Sequence, residues 1–501
     1  MFEILSFDLL SLFTVENLAV VALGTLLGMA IGAMPGLGPT VGVAVLMPLT
    51  YGMDIIPSIL LLTALYQGAE YGGSISAILL GIPGTASASA TALDGNPMAK
   101  QGAPGRALGF SLWASTIGGF VGGIVLLFFM APLARMAFKF SDPELFLIAL
   151  FGLVSIVTLG SKDVPKSIVA MLAGLLLKTV GTDLLSGVDR YTMEIPSLME
   201  GFTFIAVITG LFAFSEVLNM VGGSLGTATV TDSKAFRVRA PVKELFSLAP
   251  SMIKSSLIGV FMGIIPGLGP SAAAWMSYNE AKRTHPKTPF GTGVPLGIVS
   301  CESSNNACVG GALLPLLTMG IPGSGTIAVM ASAFLMKGIQ PGPQVLVKFP
   351  DMVYSIIWGF MLTVIMLPLI GKYFTSLTAR LLAIPNYILV SIILLAIMIG
   401  AYGARSNMFD VGVALAFGCA GFILNKLDYP FPSFLMAFIL GDLVEVHFRR
   451  ALTLSRGSYS IFYTRPICIL LLALIAALIF SAVYKKVRHR DRLPPLTAFR
   501  R

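Results

Sequence analysis

Two nearly identical proline–glycine stretches are the residues of this sequence whose types and spacing best suit chemistry. The first is Gly32-Ala-Met-Pro-Gly-Leu-Gly-Pro-Thr40, and the second is Gly263-Ile-Ile-Pro-Gly-Leu-Gly-Pro-Ser271. Each follows an apolar run and is expected to break its helix, because proline removes a backbone donor and glycine adds conformational freedom. A second signature follows each of them, Gly81-Ile-Pro-Gly-Thr85 and Gly320-Ile-Pro-Gly-Ser-Gly-Thr326. These pairs predict a duplicated unit whose two halves hold the loops face to face.

Broken helices at equivalent places in two halves of a membrane chain indicate a transporter's binding site near mid-membrane. A half-helix that begins after such a break directs free N–H groups and its positive dipole end inward, which suits an anion. The carbonyl groups of the preceding half-helix suit a cation. A simple helix kink or a surface turn would explain one such motif, but it explains two repeated pairs less well. We therefore predict a site for a small carboxylate and a coupling cation, Na⁺ or H⁺. Its predicted residues are Pro35, Gly36, Gly38, Thr40, Gly81, Pro83, Gly84, Thr85, Pro266, Gly267, Gly269, Ser271, Pro322, Gly323, Ser324 and Thr326.

Two glutamates lie in stretches of apolar and small residues between the paired signatures. Glu70 and Glu302 are 232 residues apart (302 minus 70), close to the 231 (266 minus 35) that separate Pro35 from Pro266. This spacing predicts equivalent positions in the two halves. A carboxylate at membrane depth costs roughly 2.5–3.5 kcal/mol on insertion scales and is usually functional or paired. A Na⁺ ligand, a proton relay and a structural helix cap all remain open for these two residues. The neighbouring oxygen ligands for Na⁺ would be Ser74, Ser76, Ser303, Ser304, Asn305 and Asn306.

Apolar spans dominate the rest of the chain and must position these loops. Of the 501 residues, 56% are hydrophobic and only 11% are charged, whereas about a quarter are charged in soluble proteins. Runs of about 20 apolar residues, long enough to cross a bilayer, recur throughout. The sequence therefore predicts an all-α polytopic membrane protein with ten to twelve crossings. We expect two pseudo-symmetric repeats of about five to six spans each, with broken helices or re-entrant hairpins. We expect the helices over residues 57–82 and 291–322 to be interrupted, and residues 94–106 to form a solvated loop. Whether the two repeats are parallel or inverted stays open.

Basic residues are concentrated in two places, which sets the predicted domain limits. One group (Lys234, Arg237, Arg239 and Lys243) occupies a polar mid-chain loop, and another occupies the C-terminal tail. Basic clusters beside apolar spans mark cytoplasmic segments, so the net charge of +9 does not indicate nucleic-acid binding. We expect repeat 1 over residues 1–223, a cytoplasmic linker over 224–247, repeat 2 over 248–484, and a basic cytoplasmic tail over 485–501.

Enzymatic and metal chemistry find little support in the sequence. A Walker motif and a zinc-protease His-Glu-x-x-His motif are both missing. Four cysteines in apolar surroundings and three histidines do not make a zinc site. We therefore expect neither an enzyme nor a cofactor beyond the coupling cation.

The chain resembles the large membrane subunit of the tripartite tricarboxylate transporters. The resemblance rests on the paired loops, on Lys178-Thr-Val-Gly-Thr-Asp183, on Gly210-Leu-Phe-Ala-Phe-Ser-Glu216, and on Gly441-Asp-Leu-Val-Glu445 with the residues after it. It implies a multi-pass permease of the bacterial inner membrane that works with a small membrane subunit and a periplasmic solute-binding protein. It further implies uptake of citrate or related organic carboxylates, driven by an ion gradient. A membrane channel or scaffold subunit without coupled transport is the alternative.

Overall fold

The computed structural model describes residues 8–34, 37–137, 139–159, 163–183, 185–222, 238–239, 242–381 and 386–490. The longer helices are α1 (Val15–Ala33), α2 (Gly38–Leu46), α3 (Ile55–Leu80), α4 (Ala88–Lys100), α5 (Pro104–Ala137), α6 (Asp142–Leu159), α7 (Val164–Lys178), α8 (Phe204–Ile208), α9 (Ser215–Gly222), α10 (Val242–Ile264), α11 (Gly269–Thr284), α12 (Pro295–Met319), α13 (Gly325–Met336), α14 (Pro350–Leu381), α15 (Asn386–Arg405), α16 (Met408–Lys426), α17 (Phe431–Leu454) and α18 (Pro466–Arg490). Shorter helical turns are Leu9–Leu12, Met47–Thr50, Pro196–Met199, Val345–Lys348 and Ile461–Thr464, and a π-helical turn, Thr209–Phe214, joins α8 to α9. Strands β1 (Gly181–Thr182) and β2 (Asp189–Arg190) form a small antiparallel hairpin.

The predicted class, an all-α polytopic membrane protein, is confirmed. Within the described residues, eight helices are long and apolar enough to cross a membrane, and four shorter apolar helices accompany them. Helices α3 and α12 are not among the eight, although they have 26 and 25 residues. Their glycine, serine, asparagine and glutamate residues lower the hydropathy of these two helices, which are the most deeply buried in the protein.

Helix α3 packs closely beside α1, and the two helices run in the same direction. A Cβ atom added to Gly28 would lie 2.3 Å from the Leu65 carbonyl oxygen, and one added to Gly32 would lie 2.1 Å from that of Ala69. The residue numbers rise together along both helices, so the chain must turn back between them. The break after α1 makes this turn, and α2 leads back towards the start of α3. The segment is therefore a helical hairpin with its tip inside the protein.

Helix α5 lies between α3 and α12 and establishes their relative direction. Ser74 of α3 is hydrogen-bonded to Ser111, and Gln67 of α3 lies against Gly119. The α3 numbers fall as the α5 numbers rise, so these helices are antiparallel. Along α12 the order is reversed, because Gly118 lies against the Ser303 backbone and Gly122 against that of Ala307. Helices α3 and α12 therefore pass through the centre of the protein in opposite directions.

The expected interruptions within residues 57–82 and 291–322 are wrong. Helices α3 and α12 are continuous, and the glutamates lie near their middles. Backbone groups at membrane depth have no water to bind, so intrahelical hydrogen bonds outweigh the weak helix propensity of glycine and serine. Small residues in these helices allow close packing with neighbours, as in other membrane helices.

The expected solvated loop over residues 94–106 is also wrong. Residues 94–100 belong to α4, and the Asp94 side chain is fully buried. Its Oδ1 accepts hydrogen bonds from the backbone N–H groups of Gly291, Gly293 and Val294 at 2.8, 3.1 and 2.8 Å. Its Oδ2 accepts one from the Tyr278 hydroxyl at 2.9 Å. Asp94 therefore anchors the loop before α12 and supplies a negative charge at that helix's N-terminus, which the helix dipole favours.

Two predicted domain limits shift by a few residues. Helix α10 begins at Val242, so residues 242–247 of the predicted linker are helical. Glu244 in its first turn is favourable to the helix dipole, and Leu245 is buried. Helix α18 extends to Arg490, beyond the predicted end of repeat 2. Most of the predicted linker (residues 224–237, 240 and 241) and of the tail (491–501) lies outside the described residues.

The described contacts separate two faces of the bundle, which we call the linker face and the hairpin face. At the linker face, the starts of α5 and α10 meet through an Arg106–Glu244 ion pair of 2.5 Å. Helix α5 runs to the opposite face, where α6 begins, and Glu144 there pairs with Arg465 just before α18 at 2.7 Å. Helix α18 packs along α6 from that point, so its C-terminal end returns towards the linker face. The β1–β2 hairpin follows α7 on the hairpin face.

Candidate functional site

The two Gly-Ile-Pro-Gly loops have the same conformation. Gly81 ends α3 with φ 74° and ψ 9°, and Gly320 ends α12 with φ 76° and ψ 12°, a left-handed conformation that suits glycine. Each chain then folds back into the protein, where Gly84 and Gly323 lie against the backbone carbonyls that precede the two breaks. An added Cβ atom would lie 2.0 Å from the oxygen of Gly32 in the first case and 2.1 Å from that of Gly263 in the second. Each tip therefore has room only for glycine.

Similar glycine contacts in the two parts of the chain allow their residue numbers to be compared. Gly32 packs against Ala69, and Gly263 packs against Cys308. The break helices are therefore offset by 231 residues (263 minus 32), but the long helices are offset by 239 (308 minus 69). Most of the difference arises because α11 has 16 residues where α2 has 9, and the connection after α11 is also slightly longer.

The predicted equivalence of the two glutamates is therefore wrong. With an offset of 239, Glu70 corresponds to Val309 (70 plus 239), and Glu302 corresponds to Thr63 (302 minus 239). Each half contributes one carboxylate from a different level of its long helix. The near match of 232 in the sequence arose because Glu302 lies two helical turns earlier than the equivalent of Glu70.

Glu302 is completely buried, and hydroxyl groups occupy both of its oxygens. Oε1 accepts a hydrogen bond from Thr91 of α4 at 2.5 Å, and Oε2 accepts one from Ser115 of α5 at 2.9 Å. The hydrogen-bonded pair Ser74 and Ser111 also interacts with this carboxylate. Glu302 thus joins α12 to three other helices.

Glu70 is tied to the tip of the first Gly-Ile-Pro-Gly loop. Its Oε2 accepts a hydrogen bond from Ser87 at 2.6 Å, and Ser87 is hydrogen-bonded to Thr85 at 2.9 Å. The Glu70 carboxylate also interacts electrostatically with Glu302, and the Asn305 side chain lies within hydrogen-bonding reach of it. Among the ion pairs of the described residues, none involves Glu70 or Glu302.

The break of the first unit meets the loop of the second. Thr40, in the first turn of α2, is hydrogen-bonded to Thr326, in the first turn of α13, at 2.8 Å. Ser324 caps α13 by accepting from the Ile327 N–H at 3.3 Å, and its hydroxyl is 3.1 Å from that of Tyr66. The N-termini of two half-helices from different units therefore lie together beside α3.

The other predicted site residues are placed less centrally. Pro35 and Gly36 lie outside the described residues. Gly267 donates its N–H to the Gly323 carbonyl at 3.1 Å, whereas Ser271 is half-buried in the first turn of α11. Of the remaining loop residues, a Cβ added to Gly269 would lie 3.4 Å from the Ser324 Cβ, whereas one added to Gly38 would meet nothing within 4 Å. Pro266 and Pro322 are buried, and Pro83 is half-buried.

Two of the predicted hydroxyl ligands bond to their own helix instead. Ser76 donates to the Gly73 carbonyl at 3.3 Å, and Ser303 donates to the Val299 carbonyl at 2.6 Å. Back-bonding of this kind is common for serine in helices. Ser74 also bonds to a carbonyl of its own helix, that of Tyr71 at 2.7 Å, but its hydroxyl is bonded as well to Ser111 beside Glu302.

Several buried polar atoms around the glutamates have no hydrogen-bond partner. Buried polar groups are nearly always paired, and leaving one unpaired is costly. These unpaired groups do not all face one place, since Ser300 lines a separate cavity beside α10 and α11. The unpaired atoms on α3 and α12 are Gln67 Nε2 and Oε1, Ser300 Oγ, Ser304 Oγ, Asn305 Nδ2 and Oδ1, and Asn306 Oδ1.

Sequence reasoning missed the hydroxyls that surround the carboxylates and did not assign Gln67 to the site. Gln67 could have been predicted from the sequence. It lies one helical turn from Glu70, and a polar amide in an apolar helix is unusual, as a carboxylate is. The hydroxyl groups could not have been predicted, because most of them come from helices that are distant in the sequence. Serine and threonine are also common in membrane helices, so their presence alone is no signal. They are Tyr66, Ser87, Thr91, Ser111 and Ser115.

A second concentration of charge, which we call the hairpin cluster, lies on the hairpin face. It consists of Asp183, Arg190, Glu445 and Arg449, and its N–O distances are 2.5–3.2 Å. It lines a cavity of about 320 Å³ between the hairpin, α7 and α17. The Ser186 backbone N–H and the Arg449 guanidinium, both hydrogen-bonded to Asp183, hold the pKa of that carboxyl well below its usual range. Each carboxylate of the hairpin cluster has at least one cationic partner.

Comparisons with known proteins agree with this architecture. A family model described as "Tripartite tricarboxylate transporter TctA family" matches residues 18–436. The "Uncharacterized 52.8 kDa protein in TAR-I ttuC' 3'region" of Agrobacterium vitis is 34% identical over 488 residues, which is 96% of each chain. The "Uncharacterized protein in TAR-II ttuC' 3'region" of the same organism is 35% identical over 239 residues, 46% of this chain and 96% of that protein. No solved structure matches. By its match over most of its length, the chain belongs to the TctA family of the tripartite tricarboxylate transporters.

Proposed function

We propose that this chain is the permease subunit of a binding-protein-dependent secondary transporter. It imports tricarboxylates or related organic carboxylates and is coupled to a Na⁺ or H⁺ gradient. The observation that carries the proposal is the meeting of break and loop from opposite units beside two buried, uncompensated carboxylates. A transporter needs such a site at mid-membrane, whereas a channel or a scaffold does not need broken helices around buried acids.

The two units are, in this proposal, inverted repeats. Helices α3 and α12 run in opposite directions, and the contact of Gly84 with Gly32 is repeated by that of Gly323 with Gly263. An inverted pair gives each face of the membrane its own hairpin tip, and both tips reach the centre. Rocking one unit against the other would then expose the site to alternate faces, as in other transporters built from inverted repeats.

The carboxylate substrate binds where α2 and α13 begin. Free N–H groups and positive dipole ends of both half-helices lie together there, which favours an anion. Thr40 and Thr326 supply hydroxyl groups at that point and are bonded to one another at 2.8 Å. A substrate carboxylate would replace this mutual bond with one hydrogen bond from each hydroxyl.

The partners follow from the family. A tripartite transporter has two further components, and we assign them as a small membrane subunit and a periplasmic solute-binding protein. We place the chain in a bacterial inner membrane with the linker face in the cytoplasm, because the basic residues Arg239 and Lys243 lie at that face beside the start of α5 and in the first turn of α10. The hairpin face then faces the binding protein.

Reconstituted transport tests this proposal. Proteoliposomes that contain this chain and the small subunit would receive labelled citrate and the binding protein, with a Na⁺ or pH gradient imposed. We expect accumulation above equilibrium that requires a gradient and the binding protein. Flux that only equilibrates citrate and ignores both gradients would contradict the proposal and support a channel.

The double variant Thr40→Val with Thr326→Val tests the substrate position in the same assay. Both changes keep the side-chain shape and remove the hydroxyl donors, so we expect a higher citrate concentration for half-maximal uptake. Thr158→Val is a matched control, because the Thr158 hydroxyl bonds only to backbone carbonyls of its own helix. Unchanged uptake in the double variant would place the substrate elsewhere.

A further inference from the structure

We propose that a single Na⁺ ion binds between α3 and α12, held by the side-chain oxygens of Glu70, Gln67 and Asn305. In this assignment Glu302 does not ligate the ion and acts as a positioning residue for α4 and α5. The inference rests on the proposed function, because it identifies the coupling ion and its ligands. The two glutamates therefore have different roles, whereas their spacing in the sequence suggested the same role for both.

The charge of the site requires a cation. Glu70 and Glu302 are 3% and 0% exposed and interact electrostatically with each other. Among the described residues, no lysine, arginine or histidine forms an ion pair with either of them. Two like charges buried without a counterion are strongly unfavourable. Either a metal cation or a proton must therefore accompany this pair.

The hydrogen bonds distinguish the two carboxylates. Both oxygens of Glu302 accept bonds from hydroxyl groups, Thr91 on one and Ser115 on the other. Glu70 accepts one hydroxyl bond, from Ser87 to Oε2, and its other close polar neighbour is the Asn305 side chain of α12. Glu70 therefore has an oxygen available for an ion, and Glu302 is already occupied.

The neighbouring amides distinguish Na⁺ from a proton. Gln67 lies one helical turn before Glu70, on the same side of α3, and both of its polar side-chain atoms are buried without a partner. The Asn305 amide approaches Glu70 from α12, and both of its polar atoms are likewise unpaired. Carboxylate and amide oxygens are the ligands of hard cations. A proton would neutralise Glu70 but would leave the two amide oxygens without a partner, whereas Na⁺ can bind the oxygens of all three side chains.

The described residues contain no group of three or more histidine, cysteine, aspartate or glutamate side chains that could hold a metal. One carboxylate and two neutral amides instead match a monovalent ion. Because Ser87 connects Glu70 to Thr85, filling the site also holds the tip of the first loop in place. Ion binding is thereby linked to the element that must move during transport.

Direct binding of ²²Na⁺ to the purified full-length protein tests the assignment. We expect one Na⁺ per chain, competed by unlabelled Na⁺ but not by K⁺ or choline at the same concentration. Glu70→Gln and Asn305→Ala should each weaken binding at least tenfold. Glu216→Gln is the matched control, since Glu216 is a half-buried glutamate on α9 that bonds to Asn219 instead, and it should bind as the wild type does.

Glu302→Gln separates a ligand from a positioning residue. We expect this variant to keep one Na⁺ per chain with an affinity reduced less than in Glu70→Gln, while its transport is lost. Should Glu302→Gln fail to fold, Ser115→Ala removes only one of the hydroxyls on this carboxylate and should likewise keep the ion. Two bound Na⁺ per chain, or full binding in Glu70→Gln, would overturn the assignment.

The outcomes also separate this inference from the proposed function. Citrate uptake that is driven by a pH gradient, with no measurable Na⁺ binding, would overturn the Na⁺ site and leave the transporter proposal intact. Specific Na⁺ binding without citrate uptake under any gradient would support the site and contradict the carboxylate-transport proposal.

Discussion

The central pair of glutamates and the hairpin cluster use the same residue type in opposite ways. In the hairpin cluster, Asp183 and Glu445 pair with Arg190 and Arg449 at the edge of the membrane domain, and the arginines are 30% and 39% exposed. In the centre, hydroxyl groups replace the cations, and several amide atoms have no partner. A paired carboxylate at an edge holds structure, whereas a buried carboxylate without a cationic partner favours the approach of a positive charge.

The largest expected effect comes from a side chain added where the tip of the first Gly-Ile-Pro-Gly loop contacts the end of α1. Gly84→Val would bring a Cβ to 2.0 Å from the Gly32 carbonyl oxygen, so the break and the loop must separate. A displacement of about 1 Å at a functional site can cost roughly 100-fold in rate, and we expect at least this loss of citrate uptake. Gly412→Ala is the control, because nothing lies within 4 Å of an added Cβ there. Uptake near the wild-type rate in Gly84→Val would show that the tip contact has no role in transport.

Neutralising one carboxylate in each region compares them directly. We expect Glu302→Gln to reduce uptake to background, because the carboxylate organises hydroxyls from α4 and α5. Glu445→Gln removes one member of a partly exposed ion network, and such pairs contribute about 1 kcal/mol or less. It should therefore keep most of the uptake and lower Tm by only a few degrees. Equal losses of uptake in the two variants would contradict the proposed difference between the central glutamates and the hairpin cluster.

Asp94 is a buried carboxylate of a third kind, and its loss should affect stability more than ion binding. It accepts three backbone N–H groups and the Tyr278 hydroxyl. Each buried donor left unpaired costs about 1–3 kcal/mol, so Asp94→Ala should lower Tm markedly. Tyr278→Phe removes one of these bonds and should cost about 1 kcal/mol. Thermal unfolding in detergent measures both, and an unchanged Tm in Asp94→Ala would contradict the anchoring role.

The smallest effect is a pH dependence of the hairpin cluster. The Ser186 N–H and Arg449 lower the pKa of Asp183 in the folded protein, so the unfolded chain takes up its proton at a higher pH. Its stabilisation is complete above the unfolded pKa of about 4 and is lost as the pH falls below that value towards the folded pKa. We expect the difference in Tm between wild type and Asp183→Asn to shrink on acidification below about pH 4. A difference that is constant with pH would contradict this linkage.

The sequence predicted the membrane class and the positions of the breaks because both depend on local composition. Proline and glycine favour the end of a helix where the backbone groups left unpaired there find other partners. Gly81 and Gly320 each end a long helix in the same left-handed conformation. The same local reasoning placed interruptions around Glu70 and Glu302, where glycine and serine instead pack within continuous helices. It also placed Asp94 in solvent, because Asp-Gly-Asn-Pro is typical of a turn when no partner is known.

The sequence alone determined that this is a polytopic membrane protein with paired helix breaks and buried acids, because hydropathy, proline and glycine act through nearby backbone. Only the tertiary structure decided that α3 and α12 run in opposite directions. It likewise decided that their register differs from that of the breaks by eight residues (239 minus 231). Both depend on which helices touch, and neither can be read from the two motifs. The register differs mainly because α11 has 16 residues where α2 has 9. The physical difference between Glu70 and Glu302 follows from those contacts, since hydroxyls from α4 and α5 occupy one carboxylate and leave the other open.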